Sequence, residues 1–257
     1  MRILIIRHAE PDYAVDGLTE KGKREAELLA GRLKNTKMDR IYLSPKGRAQ
    51  ETAKRTLELI GRGGETLPWL EEFHGLFYDP DLKRMHIPWD MRPKRWQGEK
   101  MLMDEDLWTE HPLFRDYEVG KVWRETKEGL DAVLKDSGYV REGGCYRVVR
   151  RNMDTLVFFC HFGIGSAILS HLTHIPVVAL WQGTCMLASS VTTVVTQERE
   201  DGLCDWRCVC LGDLSHLYAA GEKASLYAMF PEVYNGVDST CPDNWPEGGA
   251  RDARPMW

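Results

Sequence analysis

Nowhere does the 257-residue chain hold the roughly 20 uninterrupted apolar residues that cross a bilayer. The apolar opening, residues 3–6, is far too short for a signal-peptide core and lacks a cleavage region. Both absences predict a cytoplasmic protein with no membrane partner. An excess of positive charge is missing too: the net charge of −5 argues against a general nucleic-acid binder, which would present a basic face. Local positive clusters can still serve an anionic ligand, because net charge does not describe a pocket. The seven cysteines are odd in number and include no CxxC pair. Cys204, Cys208 and Cys210 are spaced too irregularly for a familiar zinc site, and Cys145, Cys160, Cys185 and Cys241 stand alone. This usage fits scattered reduced thiols. No internal repeat is present.

What the chain does have is a series of alternating elements. Residues 2–6 are a continuous apolar run ending in Arg7-His8, as in a strand buried on both faces. Asp16-Gly17 marks a turn, and a helix is expected over 19–35, with Leu28, Leu29 and Leu33 on one face. Residues 40–43 read as a second short strand, broken at Ser44-Pro45. From Arg48 a helix runs to about Ile60, with Ala49, Ala53, Leu57 and Ile60 at helical spacing, and the glycines of 61–64 close it. Strand, helix, strand, helix implies parallel pairing with crossovers. The expected fold is α/β, a three-layer α/β/α doubly wound arrangement around a mostly parallel sheet. Residues 155–160 make another apolar strand leading into His161, followed by a helix over 163–174, and 190–196 and 206–211 read as strands. Between 76 and 150 periodicity weakens, with only 116–135 expected to be helical. That stretch is expected to be a partly helical insertion on a single domain, a lid that covers the pocket and selects substrate. The tail, 239–257, is rich in Pro, Gly and Asp and is expected to be extended or loosely held.

Two apolar strands thus end in histidine, at His8 and His161. In a parallel sheet the carboxyl ends of the strands share one edge, which is where ligands bind. Arg7 comes with His8, and the strand over 40–43 delivers Ser44-Pro45, and then Arg48, to the same edge.

That set resembles the histidine phosphatase superfamily, the group that includes the cofactor-dependent phosphoglycerate mutases. Its opening Arg-His-(Gly/Ala) followed by Glu stands here as Arg7-His8-Ala9-Glu10. Its second motif stands as Ser44-Pro45-Lys46-Gly47-Arg48-Ala49-Gln50-Glu51-Thr52-Ala53, its third as Leu70-Glu71-Glu72 ahead of Gly75, and its fourth as His161-Phe162-Gly163. Leu211-Gly212-Asp213-Leu214-Ser215-His216-Leu217 looks like the late Asn-Asp-x-Ser-His-Leu segment, with Gly212 in place of Asn. The resemblance spans 1–75 and 154–217. Four motifs in family order, each at a strand end or helix start, carry far more weight than any one.

The resemblance implies a metal-independent phosphatase that works without a cofactor on a small-molecule phosphomonoester, with His8 as the attacking nucleophile. A neutral imidazole suits that task near physiological pH, and a phosphohistidine intermediate splits one difficult displacement into two. It assigns phosphate binding to Arg7, Arg48, His161 and Phe162. The arginines offer planar, permanently charged forks. His161 is expected to donate to an equatorial oxygen, most usefully when protonated, and the helix starting near Gly163 adds backbone N–H groups. Glu72 is the candidate proton donor, with Glu71 as the alternative, because Gly75 arrives one residue earlier than the usual pattern. Glu10 and Ser44 are expected to orient the loop, His216 to support the pocket by bonding nearby backbone, and Lys46 and Lys54 to be solvated helix-face charges. Pro11-Asp12-Tyr13 replaces the Ser/Thr-x-Trp-Asn stretch of the mutases, which favours hydrolysis over a mutase-like phosphotransferase. A non-catalytic module that binds phosphorylated ligands is the alternative from another class. A homodimer is left open.

Overall fold

The computed structural model describes residues 1–225, and the tail expected to be extended, 239–257, lies outside them. In chain order the elements are β1 (Arg2–Arg7), β2 (Pro11–Asp12), β3 (Gly17–Leu18), α1 (Glu20–Leu33), β4 (Arg40–Leu43), α2 (Gly47–Ile60) and β5 (Glu65–Thr66). Then come β6 (Phe77–Asp79), β7 (Arg84–His86), α3 (Pro93–Trp96), α4 (Val119–Asp136), β8 (Tyr139–Glu142) and β9 (Cys145–Val148). The last group is β10 (Thr155–Cys160), α5 (Phe162–Thr173), α6 (Val177–Gly183), β11 (Val191–Glu200), β12 (Leu203–Asp213) and α7 (Ser215–Ala219). No helix among the described residues is long and apolar enough to cross a membrane.

The main sheet runs β5-β4-β10-β1-β11-β12-β9-β8. Its first four strands are parallel, and from β1 onward the pairings with β11, β12, β9 and β8 are antiparallel. The apolar runs are explained by burial on both faces. Leu4, Ile6, Ile41, Leu43, Val157 and Phe159 pack with Leu29, Leu33 and Ala53 of α1 and α2. The alternate residues Ile3, Ile5, Tyr42, Leu156 and Phe158 pack with α4, α5 and α6 on the opposite face. The period-two alternation of a strand therefore feeds two separate cores, giving the three layers.

The stretch 76–150 does not behave as one insertion. Residues 119–148 are structural members of the domain: α4 packs on α5, and β8 and β9 extend the main sheet through β12. Only the preceding part, up to about 118, is built of short pieces. Its apolar residues follow no regular spacing, and several are large. Trp108 and Phe114 are fully buried, packed edge to face with each other and with Trp123 or Phe77, and Trp108 also meets Trp181 of α6. Irregular backbone has no period to read, so aromatic anchors supply the packing that a regular apolar stripe supplies elsewhere.

Helix α1 also steadies the loop behind β1. Thr19 caps it, accepting from Gly22 N–H and donating to Glu10 Oε1 at 2.7 Å. Glu25, fully buried, accepts from Glu10 N–H at 2.8 Å. Burial pushes this carboxyl up from 4.5 to about 7, against the pull of that N–H and of Lys21. The folded state therefore holds the Glu25 proton more tightly than the unfolded chain does. The stability this lends is fully present below pH 4.5 and is lost as pH rises towards 7. Between those limits the stability of wild type relative to Glu25→Gln should fall by on the order of 3 kcal/mol in urea unfolding. A constant difference across that range would show that Glu25 does not titrate in this way.

Candidate active site

The parallel register places the two histidines side by side. Arg7 lies opposite Cys160 across β1 and β10, and His8 N–H donates to the Cys160 carbonyl at 2.9 Å. Ser44 N–H donates to the Phe159 carbonyl at 2.9 Å, so the end of β4 joins the same edge. The imidazole centroids of His8 and His161 stand 5.1 Å apart. Both rings are buried, at 2% and 0% exposure, and so are Arg7 and Arg48, at 6% and 7%.

Hydrogen bonding fixes what each ring can do. His8 Nδ1 lies 2.8 Å from the Ala9 carbonyl, which can only accept, so Nδ1 carries the proton and Nε2 keeps its lone pair. Burial above all, and then Arg7 and Arg48, hold the His8 pKa well below the usual imidazole value. His8 is thus a neutral imidazole with a nucleophilic Nε2. Ser44 Oγ accepts from Lys46 N–H at 3.2 Å and lies 2.7 Å from His161 Nε2; because a hydroxyl can accept twice, the direction of that second bond follows the tautomer of His161. His161 Nδ1 is buried without a partner, and when Ser44 donates to Nε2 it is Nδ1 that carries the ring proton. Protonated His161 was the more useful form expected from sequence. Burial first, then His8, Arg48, Arg7 and Lys46, instead hold this ring neutral as well.

Each arginine commits one N–H to the protein. Arg7 Nη1 donates to the Met186 carbonyl at 2.6 Å, and its guanidinium lies 5.9 Å from the Phe162 ring centre. Arg48 Nη1 donates to Asp16 Oδ1 at 2.5 Å, while Asp16 Oδ2 takes Gly47 N–H at 2.7 Å. Only glycine fits at 47, because a side-chain carbon there would collide with the Asp16 carbonyl. The Tyr13 ring stacks 5.3 Å from the Arg48 guanidinium. Arg7 Nε and Arg48 Nε are buried and unpartnered. Two unsatisfied cationic donors thus accompany the paired histidines, and His161 Nδ1 makes a third when it carries the ring proton. Buried donors of this kind are costly unless something accepts from them, and a tetrahedral oxyanion does.

Glu72 lies beside the N-terminus of α5. Its Oε1 accepts from Phe73 N–H at 2.8 Å and from Ile164 N–H at 3.1 Å. Gly163 leaves room for it, since a side-chain carbon there would sit 2.7 Å from both Glu72 Oε1 and Trp89. Trp89 is the point at which the 76–118 segment reaches the site. Burial raises the Glu72 pKa, opposed by Arg48, the backbone N–H groups and Arg7. Glu71 instead pairs with Lys46 at 2.5 Å, so Lys46 is not the solvated helix-face charge expected. Phe162 opens α5 directly after His161, its N-cap residue.

The surrounding loops contribute residues that sequence reasoning missed. Thr52 Oγ1 accepts from Ala9 N–H at 2.9 Å and donates to the Arg48 carbonyl at 2.7 Å, tying the His8 loop to α2. Met186 and Ser189 come from the loop before β11, and Ser189 N–H donates to the His8 carbonyl at 3.0 Å. Because β11 runs antiparallel to β1, its amino end lies at the edge where β1 terminates; strand direction was the signal that would have found them. His216 supports the site as expected, through a side chain rather than backbone: its Nε2 lies 3.1 Å from Ser189 Oγ. Burial lowers its pKa to about 4. Among the described residues, no three His, Cys, Asp or Glu side chains cluster so as to hold a metal ion.

Known proteins share this fold. The sequence model of the histidine phosphatase superfamily (branch 1) matches residues 3–208. The adenosylcobalamin/alpha-ribazole phosphatase of Salmonella typhi is 25% identical over 191 residues, which cover 70% of this chain and 84% of that protein. The fold matches a mycobacterial glucosyl-3-phosphoglycerate phosphatase solved with VO3, with TM-score 0.53, 19% identity and coverage of 81% of this chain and 97% of the other. It also matches a phosphoserine phosphatase of Entamoeba histolytica, with TM-score 0.54, 17% identity and coverage of 84% and 98%.

Inorganic phosphate should bind at the unpartnered nitrogens of Arg7, Arg48 and His161, as read by calorimetry. Arg48→Ala should weaken that binding by about 10- to 100-fold, the worth of a charge-assisted hydrogen bond. Equal affinity in the variant would remove Arg48 from the anion site.

Proposed function

The chain belongs to the histidine phosphatase superfamily, and on that footing we propose that it hydrolyses phosphomonoesters by way of a phosphohistidine on His8. The observation that carries this reading is a nucleophile-ready His8 Nε2 buried in one cluster with Arg7, Arg48 and His161.

The steps follow from those groups. The phosphoryl oxygens take the spare N–H bonds of both guanidinium groups and of His161 Nδ1, with Phe162 and the start of α5 contributing backbone N–H groups and the helix dipole. His8 Nε2 attacks phosphorus as the bond to the alcohol oxygen breaks, and protonated Glu72 gives its proton to that oxygen. Glu72, now a carboxylate, takes a proton from water as the water attacks the phosphohistidine. The P–N bond breaks, inorganic phosphate leaves and His8 is neutral again. Positioning and charge stabilisation do most of the work in phosphoryl transfer. Here both come from the arginines, so the scheme requires no metal. Relatives named for alpha-ribazole, glucosyl-3-phosphoglycerate and phosphoserine support a small-molecule ester as the substrate class.

Phosphate release from p-nitrophenyl phosphate should persist in the presence of chelator and be abolished by His8→Ala. Activity that survives the substitution, or that is lost only to the chelator, would refute the reading. The pH profile should be bell-shaped. Its acid limb, where His8 gains a proton, should fall below the usual imidazole range, and its alkaline limb, where Glu72 loses one, above the usual carboxylate range. Glu72→Gln should remove the alkaline limb and slow alkyl phosphates by about 10²- to 10⁴-fold. The loss should be smaller for p-nitrophenyl phosphate, whose leaving group needs no proton. Equal losses on both substrates would show that Glu72 is not the donor.

A further inference from the structure

A second ion pair ties together the two loops that carry the site's donors. Lys46 is the N-cap residue of α2. Its backbone N–H holds Ser44 Oγ, the hydroxyl that holds His161. Its ammonium meets Glu71 Oε1 at 2.5 Å, and Glu71 immediately precedes the candidate proton donor. The two side chains are 37% and 33% exposed, so the pair reaches solvent while the groups of the anion site are buried. Lys46 is close enough to His161 to join the arginines in opposing protonation of that ring.

Neither residue has a part in the chemistry above. The phosphoryl group is held by Arg7, Arg48 and His161, and the proton comes from Glu72. The pair nevertheless stands next to that machinery, because Lys46 lies near His161 and Glu71 directly precedes Glu72, which must reach the leaving oxygen. Resting on the phosphatase reading, we propose that Lys46 and Glu71 form a specificity filter at the leaving-group entrance. Glu71 neutralises Lys46, so esters whose alcohol carries no second anionic group are favoured over esters bearing a carboxylate or second phosphate close to the reacting phosphoryl group. A second anion entering there must displace a carboxylate already seated on the ammonium, and it meets the charge of Glu71 itself. A partly exposed pair contributes little to stability. Specificity, however, is a difference between two substrates, and a modest repulsive element is enough to create one.

The test compares ethyl phosphate with phosphoglycolate, which differ by a carboxylate two carbons from the ester oxygen. In Glu71→Gln the ratio of kcat/KM for phosphoglycolate to that for ethyl phosphate should rise by about threefold to tenfold, chiefly through KM for phosphoglycolate, and the rise should shrink at high salt. The double variant Lys46→Gln/Glu71→Gln should return the ratio to within about twofold of wild type. An unmoved ratio in Glu71→Gln overturns the filter. So does a double variant well below wild type, because Lys46 would then already be receiving the substrate's second anion. If wild type hydrolyses ethyl phosphate and the ratio stays flat, the filter alone falls. If wild type releases phosphate from no ester, p-nitrophenyl phosphate included, the phosphatase reading falls and takes the filter with it.

Discussion

Two guanidinium groups buried beside two imidazoles are the constraint around which this end of the molecule is organised. Taking a cation out of water costs several kcal/mol unless it is paired and fully hydrogen-bonded. Here the compensation is incomplete: Arg7 gives one bond to a carbonyl, Arg48 gives one to Asp16, and the Nε of each is left unpartnered. The rest of the local structure follows from holding that charge in place. The Asp16 loop is anchored by the first turn of α2, Thr52 ties α2 to the His8 loop, and Ser189 and His216 brace the His8 carbonyl from behind. The strain of an unsatisfied positive site is what an anion relieves.

The same charge sets the chemistry of the histidines. An imidazole on a solvated surface would be partly protonated near neutrality and would then have no lone pair to offer. Burial first, and then the two buried arginines, make the neutral form win for both rings. The hydrogen bonds then bear on which nitrogen is left over: the Ala9 carbonyl leaves His8 with Nε2 as a nucleophile, and a Ser44 hydroxyl that donates to Nε2 leaves His161 with Nδ1–H as a donor. One electrostatic field and two neighbouring oxygens give chemically similar side chains opposite roles. Glu72 complements them, because burial keeps its proton within reach despite the arginines.

Much of this was legible in the chain itself. Doubly buried strands read as unbroken apolar runs, so β1, β4 and β10 stood out, and with them the edge where His8, Ser44 and His161 meet. Arg48 followed from its motif at a helix start. Other features were hidden for physical reasons. The hairpin of β8 and β9 carries Gly143-Gly144 between flanking strands, a turn signal lost in a stretch read as insertion. Trp108 and Phe114 are anchored in irregular backbone, where no period marks them. Ser189 and Met186 depend on the antiparallel direction of β11, which no local pattern encodes. The protonation state of His161 depends on its burial and then on neighbours at the end of β1 and the start of α2, which come together only in the folded chain.

The phosphoryl group's stopover on His8 is the centre of the whole mechanism, and rapid quenching during turnover of a ³²P-labelled phosphomonoester reads it directly. The expected result is a transient label that is lost in acid, survives alkali and maps to the peptide containing His8, bonded through Nε2. A label on His161, or none at any quench time while phosphate is being released, would contradict it.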